Sequence, residues 1–187
     1  MAHYSNCHDF LHPLLRKGNI MNKEHQEIMK FWGNSLVALD PQTVENQNLS
    51  QETKNLLCTV GIPENHSKIR ESLLITFYED PFPVEFQQEN YLVIGDDYGT
   101  KIGIKKTTEE IYSIKESETR FINSNIEVFL KFLQIYISVE FEKVSDEDIA
   151  ELINGVEERF NHLDSKSLED EENWWPVILE QIEEGFM

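Results

Sequence analysis

Cysteine is scarce in this 187-residue chain: only Cys7 and Cys58 occur. Two thiols cannot build the multi-bridge framework of a small secreted scaffold, and both fit a reducing cytosol. No apolar run approaches the roughly 20 residues that a membrane-spanning helix needs. The N-terminal stretch lacks the apolar segment of a secretory signal. Basic residues are also few, with 16 Lys and Arg against 35 Asp and Glu, a net charge of −19. A field of that sign repels nucleic acid and anionic membrane surfaces, and it attracts a basic partner. Catalytic signatures are missing as well. There is no glycine-rich phosphate loop before a helix, no His-Glu-x-x-His, no Cys-x-x-Cys and no Gly-x-Ser-x-Gly. His25, His66 and His162 stand alone in polar surroundings and read as exposed side chains, because a general base needs an orienting partner. No enzyme activity and no cofactor is implied.

What is present is a globular composition, 40% hydrophobic and 11% aromatic, in a chain long enough to bury a sizeable core. The charge is uneven. Residues 140–187 hold sixteen acids and three bases, whereas residues 1–20 hold one acid and two bases. The first twenty residues differ in other ways. His3, His8 and His12 lie near Cys7, but their spacing fits no zinc motif, so no metal site is expected. The codons for Arg16-Lys17-Gly18 can be purine-rich, as a ribosome-binding site is, and Met21 follows at a suitable distance. The expectation is a poorly ordered translated leader over 1–20 and a natural start at Met21.

From Asn22 the pattern is regular. Asn22 can cap a helix with Ile28, Met29, Phe31 and Trp32 as its apolar residues, ended by Gly33. Leu36–Leu39 is a short apolar segment stopped by Asp40-Pro41, and 42–49 reads as a polar connection. Ser50 caps a second helix, with Leu56, Leu57 and Val60 inward and Cys58 as a small core residue. Gly61 suits a left-handed end there. Strands are expected at 73–78, 91–94, 101–105, 110–115 and 120–122, with Pro81 and Pro83 breaking the chain after the first. Ile102 and Ile104 face inward. Asn123 or Ser124 then caps a long helix whose stripe is Ile126, Phe129, Leu130, Leu133 and Ile137, widened by Phe132, Tyr136 and Phe141. Ser145 and Asp148 resemble a capping box opening a helix with Ile149, Leu152, Ile153, Val156 and Phe160 inward. Residues 164–172 read as an acidic loop. Trp174-Trp175-Pro176 opens a last helix, with Val177, Ile178 and Ile182 inward. Short turns favour antiparallel strand neighbours, so the fold class is α+β.

Asp96-Asp97-Tyr98-Gly99 has three readings. Two carboxylates could hold a hard cation, but the further oxygen ligands of a calcium loop are missing. The simplest reading is a hairpin turn that uses Asp and Gly for their backbone habits. The third is an acidic, aromatic loop tip suited to partner contact.

Several of these motifs, in this order, resemble the SUKH superfamily. They are Gly61-Ile62-Pro63 after an apolar helix, Tyr91-Leu92-Val93-Ile94-Gly95-Asp96-Asp97-Tyr98-Gly99, the strands at 101–105 and 111–112, and Phe121-Ile122-Asn123-Ser124-Asn125-Ile126-Glu127-Val128-Phe129. Trp174-Trp175 and Leu179-Glu180-Gln181-Ile182 resemble the C-terminal extension of its fourth subfamily. The likeness covers roughly residues 30–185. It departs from the pattern at Asn125, where many relatives have Ser, a change that still suits a cap. The resemblance implies a curved, mainly antiparallel sheet flanked by helices, with a C-terminal helical extension. It implies one domain over 21–187, with a core at 30–142 and an acidic extension at 143–187. It also implies a cytoplasmic immunity protein that binds and neutralises a toxin passed between competing bacteria, often a nuclease or nucleic-acid deaminase. The acidic charge fits a basic toxin. The expected contacts are Glu151, Glu157, Glu158, Glu169, Asp170, Glu171 and Glu172, with Asp96, Asp97 and Tyr98 as a second patch. A second reading is a regulatory scaffold of the kind that eukaryotic members supply to cell-wall synthesis. An upstream gene lacking a toxin domain would favour it.

Overall fold

The computed structural model describes residues 22–64, 69, 71, 73–141 and 148–185. The expected leader, Cys7, His66 and Ser145 lie outside the described residues. Helix α1 (Lys23–Trp32) opens at Asn22, whose side chain accepts the His25 N–H at 2.7 Å. Ile28 and Trp32 are buried, but Met29 and Phe31 are 38% and 45% exposed, so the inward face is narrower than the four apolar residues suggested. His25 departs from its expected exposure. Its side chain is only 12% exposed, and Nε2 lies 3.4 Å from the Glu127 carboxylate.

Strand β1 (Leu36–Val37) follows, and Asp40 caps helix α2 (Pro41–Glu45) with Pro41 in the first turn. The stretch expected as a polar connection therefore contains a helical turn, because a lone proline at the first helical position costs no hydrogen bond. Helix α3 (Gln51–Asn55), capped by Ser50, widens into a π-helical turn over Leu56–Val60. Cys58 is partly buried against the core, and burial pushes its thiol upward. Strand β2 (Ile62–Pro63) pairs antiparallel with β1. Gly61 between them has φ +90°, and a Cβ there would sit 2.3 Å from the Val37 carbonyl oxygen. Both the turn and the close approach of β1 thus require glycine.

Five further strands form one antiparallel sheet in sequence order: β3 (Ile75–Phe86), β4 (Glu89–Asp97), β5 (Thr100–Lys105), β6 (Ile111–Lys115) and β7 (Glu118–Asn123). Pro81 and Pro83 do not end β3. The register breaks between Phe77 and Phe82 and then resumes, and β3 is an edge strand. A proline at an edge or bulge removes no ladder hydrogen bond, which is why the chain tolerates two of them there.

The register assigns the two faces. Ile75, Phe77, Leu92, Ile94, Ile102 and Ile104 point into the main core. Tyr91, Val93, Tyr112, Ile114 and Phe121 point to the other side, so Ile111 and Ile114, three residues apart, lie on opposite faces of β6. The aromatic part of that second face also excludes water. Tyr91 and Phe121 are 3% and 7% exposed, and both meet Tyr112 edge to face. The Gln87 side chain donates to the Ser117 carbonyl at 3.0 Å, linking the β3–β4 turn to the β6–β7 turn. Joining those two turns requires a strongly coiled sheet, while β3 and β7 remain its edges.

Helix α4 (Ile126–Ile137) packs on the first face through the expected stripe, with Phe129 edge-on to Phe77. Its cap is Asn125, which accepts the Val128 N–H at 3.0 Å, rather than Asn123 or Ser124. Helix α5 (Ile149–Asp164), a 3₁₀ turn (Ser165–Leu168) and helix α6 (Trp174–Glu183) complete the described chain. Residue 164 lies in a helix, so the expected acidic loop at 164–172 begins later than expected. Phe132 stacks on Phe160 at 4.0 Å between ring centres, and Trp175 lies 4.8 Å from Phe160. One core cluster consequently runs from α1 through the sheet to α6.

Candidate functional site

The β4–β5 hairpin carries the first group of expected contact residues. Two of the three are engaged within the protein. Asp96 accepts from the Tyr78 hydroxyl at 2.5 Å and from the Gly99 N–H at 3.0 Å. That bond, with burial second, pushes the Tyr78 hydroxyl up to about 12. Asp97 accepts the Trp174 indole N–H at 3.1 Å. Tyr98 is different: it is 86% exposed and sits at φ +46°, a left-handed conformation uncommon for a bulky residue.

Burial pushes the Asp97 carboxyl above the ordinary range; the Trp174 hydrogen bond pulls it down, and neighbouring Asp96 raises it further. A raised pKa in the folded state means that ionising Asp97 weakens the fold. That penalty is complete above the raised value and absent below the unfolded one. Asp97→Asn keeps an acceptor for Trp174 and removes the charge. It should therefore be more stable than the parent at pH 7, with the difference closing as pH falls toward about 4. Thermal melts of both proteins across that range check the sign. A variant less stable at pH 7 would show that the ionised carboxylate is a net gain.

The C-terminal acids divide by environment. Glu151 and Glu158 on α5 are exposed and Glu157 is half-buried. Glu169, Asp170, Glu171 and Glu172 flank the approach to α6, and the last three are exposed while Glu169 is exposed beside them. Asp164 is only 9% exposed and serves the fold. Its carboxylate accepts the Ser124 N–H and hydroxyl, both at 2.8 Å, and the Asn123 amide at 3.2 Å. Asn123 in turn accepts the Trp175 indole N–H at 3.0 Å. This cluster explains why Asn123 and Ser124 do not cap α4: the extension uses both. A sequence signal existed, since Asp164 follows Val156 and Phe160 at intervals of four, on the buried stripe of α5. Lys166 adds a strap from the 3₁₀ turn to the sheet. It pairs with Glu110 and lies over the Phe121 ring, 4.5 Å from its centre.

The Asp97–Trp174 bond draws the exposed hairpin tip beside the first turn of α6. Between them opens a groove of about 910 Å³. Tyr98 and Leu74 stand at its mouth, and Trp174, Val177, Ile178 and Gln181 form the α6 wall. Leu74 is 48% exposed at φ +54°. The α5 acids are placed elsewhere. Glu158 borders a separate depression with Ile135, Arg159, His162 and Leu163. The hairpin tip and α6 therefore share one groove, and neither Glu169–Glu172 nor Glu151, Glu157 and Glu158 are among its lining residues. Periodicity could not reveal the groove, because its walls come from strands and a helix far apart in the chain.

The arrangement presents exposed apolar residues at the mouth of a groove lined by charges of both signs, which suits protein recognition. Comparison with known families decides the lineage. The family model described as SUKH-4 immunity protein matches residues 24–181. The chain belongs to this family. Among curated proteins and solved structures, none matches it. Membership of the SUKH-4 family supports an immunity role and the binding of a toxin protein. It also sets the family motifs in a physical frame. In this SUKH-4 member Gly61 permits the β1 approach, and the Asn123-Ser124 pair receives the extension. Trp174 and Trp175 are buried links from α6 to the hairpin and to β7. No helix among the described residues is long and apolar enough to cross a membrane.

Proposed function

We propose that this immunity protein neutralises a cognate nuclease or nucleic-acid deaminase toxin in the cytoplasm by covering its basic substrate-binding surface. The observation that carries this reading is the placement of four exposed acids, Glu169 to Glu172, immediately before the helix tied to the Tyr98 hairpin. A toxin that grips phosphates is positively charged where it does so, and an acidic partner both covers that surface and speeds encounter. Binding without turnover is sufficient for the role. The test is to read the adjacent upstream gene for a C-terminal toxin domain and to co-express that domain with this protein. Cells producing both proteins should grow, whereas cells producing the toxin alone should not. Association should slow as salt rises, because the contacts are screened over about 10 Å at 0.1 M. Growth unaffected by this protein would rule out the immunity reading for that toxin. Binding without salt dependence would rule out the electrostatic part.

A further inference from the structure

Helix α1 meets α4 through charged side chains as well as through Ile28 and Trp32. Glu127, Lys131 and Gln134 follow one another at spacings of four and three, on one stripe of α4. Lys131 Nζ lies 2.9 Å from the Glu127 carboxylate and 3.4 Å from that of Glu24 on α1, and His25 Nε2 on α1 lies 3.4 Å from Glu127. The side chains of His25, Glu127 and Lys131 are only 12%, 16% and 20% exposed. The seam is also under-satisfied. His25 Nε2 is buried and its approach to Glu127 is not a hydrogen bond, and the buried side-chain nitrogen of Gln134 has no hydrogen-bond partner. Buried polar groups are normally paired, so a seam with two unpaired nitrogens holds less firmly than the apolar core beside it.

The charge balance decides what this seam responds to. With a neutral imidazole, two carboxylates face one ammonium, an excess of one negative charge in a site partly shut off from water. One proton removes that excess. We propose that α1 is a proton-sensitive clasp: a proton held on the Glu127 carboxyl fastens α1 to α4, and its release to solvent as pH rises lets α1 open by itself while the sheet stays folded. Burial, and then the neighbouring Glu24 carboxyl, push Glu127 above the ordinary carboxylate range, and Lys131 pulls it back. Glu24 moves the other way, lowered first by its bond to Glu127 and then by Lys131, so its own contribution is lost only at lower pH. A raised carboxyl binds its proton more tightly in the docked state. The clasp is therefore strongest below the unfolded value of about 4.3 and weakens as pH rises through the docked one. No other group competes for this role. Lys23 and Glu27 pair on the exposed face of α1. The π-helical turn packed on α1 brings Cys58, whose charged neighbours are Glu45, Asp40 and Lys54. On its other sides α4 packs against β7 and α5, and among the described residues Glu127 and Lys131 make no ion pair with either.

The experiment is native-state hydrogen exchange of the full chain at about pH 5 and about pH 8, corrected for the intrinsic rate, in the parent and in Glu127→Gln. Amides of Ile28 to Trp32 report on α1, and those of Ile102 and Ile104 report on the sheet. Relative to the sheet, protection of α1 in the parent should fall about fivefold between the two, since each pH unit between the unfolded and docked values changes opening by up to about tenfold. Glu127→Gln keeps an uncharged group that can donate to Glu24, so α1 should stay protected at both. In the parent, the Glu127 side-chain carboxyl followed by carbon NMR should titrate above about 4.3. A fall that persists in Glu127→Gln, an α1 that always exchanges together with the sheet, or a Glu127 carboxyl that titrates at or below the ordinary value would each overturn the proposal. The NMR titration uses only the parent, so it decides the matter even if the variant does not fold.

Discussion

Trp175→Ala should lower the free energy of unfolding by about 4–5 kcal/mol, the largest single effect expected in this protein. Trp175 is fully buried, and its ring meets Phe132, Tyr136, Phe160 and Trp174 at centre distances of 5.5, 6.0, 4.8 and 4.7 Å. Truncation leaves a cavity where α4, α5 and α6 meet, and it leaves the buried Asn123 carbonyl without its indole donor. The cavity dominates, because a hydrogen bond of that kind contributes about 1 kcal/mol whereas a buried Trp truncation costs about 3–5. Trp175→Phe separates the two contributions. It keeps most of the ring and should cost about 1–2 kcal/mol. Urea unfolding of the parent and both variants gives the values. At about 2–4 °C per kcal/mol for a chain this size, the Ala variant should melt roughly 10 °C or more below the parent. A loss under about 2 kcal/mol would mean that α6 contributes little to the core and is only loosely held.

Asp164→Ala should cost about 3 kcal/mol. One carboxylate satisfies the Ser124 N–H, the Ser124 hydroxyl and the Asn123 amide, and removing it orphans donors inside the protein. Hydrogen bonds to a charged acceptor contribute more than neutral ones, yet those made by one carboxylate do not add. Asp164→Asn retains one acceptor oxygen and should cost less. The cap residue provides the contrast. Asn125→Ala removes a single bond to the Val128 N–H and should cost only about 1 kcal/mol. If Ser124 were the cap instead, Asn125→Ala would be close to neutral. Trp175 and Asp164 both act on Asn123, so a double-mutant cycle should show coupling above about 0.5 kcal/mol. Additive losses would place the two contacts in independent parts of the fold.

The same residues show where sequence reading succeeds and where it stops. Ile126, Phe129, Leu130 and Leu133 announce the buried face of α4, because apolar residues spaced three and four apart fall on one side of a helix. Ile102 and Ile104 do the same for β5 by alternation. Prolines were harder to place. Pro81 and Pro83 look like a strand end until the sheet order shows that β3 is an edge. Asn123, Ser124 and Asn125 are three competent caps in a row, and local chemistry does not choose among them. The choice was made by Asp164, 40 residues away from Ser124, which takes two of the three out of contention.

The candidate contacts divide in the same way. Sequence marked both Asp97 and Tyr98, since each has the polarity of a loop tip. The structure holds the half-buried Asp97 carboxylate against Trp174 and leaves Tyr98 at the mouth of a groove. By itself, the amino-acid order determined the α+β class, the main apolar stripes, the acidic C-terminal quarter and the likeness to the SUKH family, because all of these are properties of near neighbours or of composition. Tertiary structure alone decided which carboxylates serve the fold and which face solvent, and it alone built the groove. The reason is that burial, hydrogen-bond partners and concavity depend on residues brought together from distant parts of the chain, and no local pattern encodes that meeting.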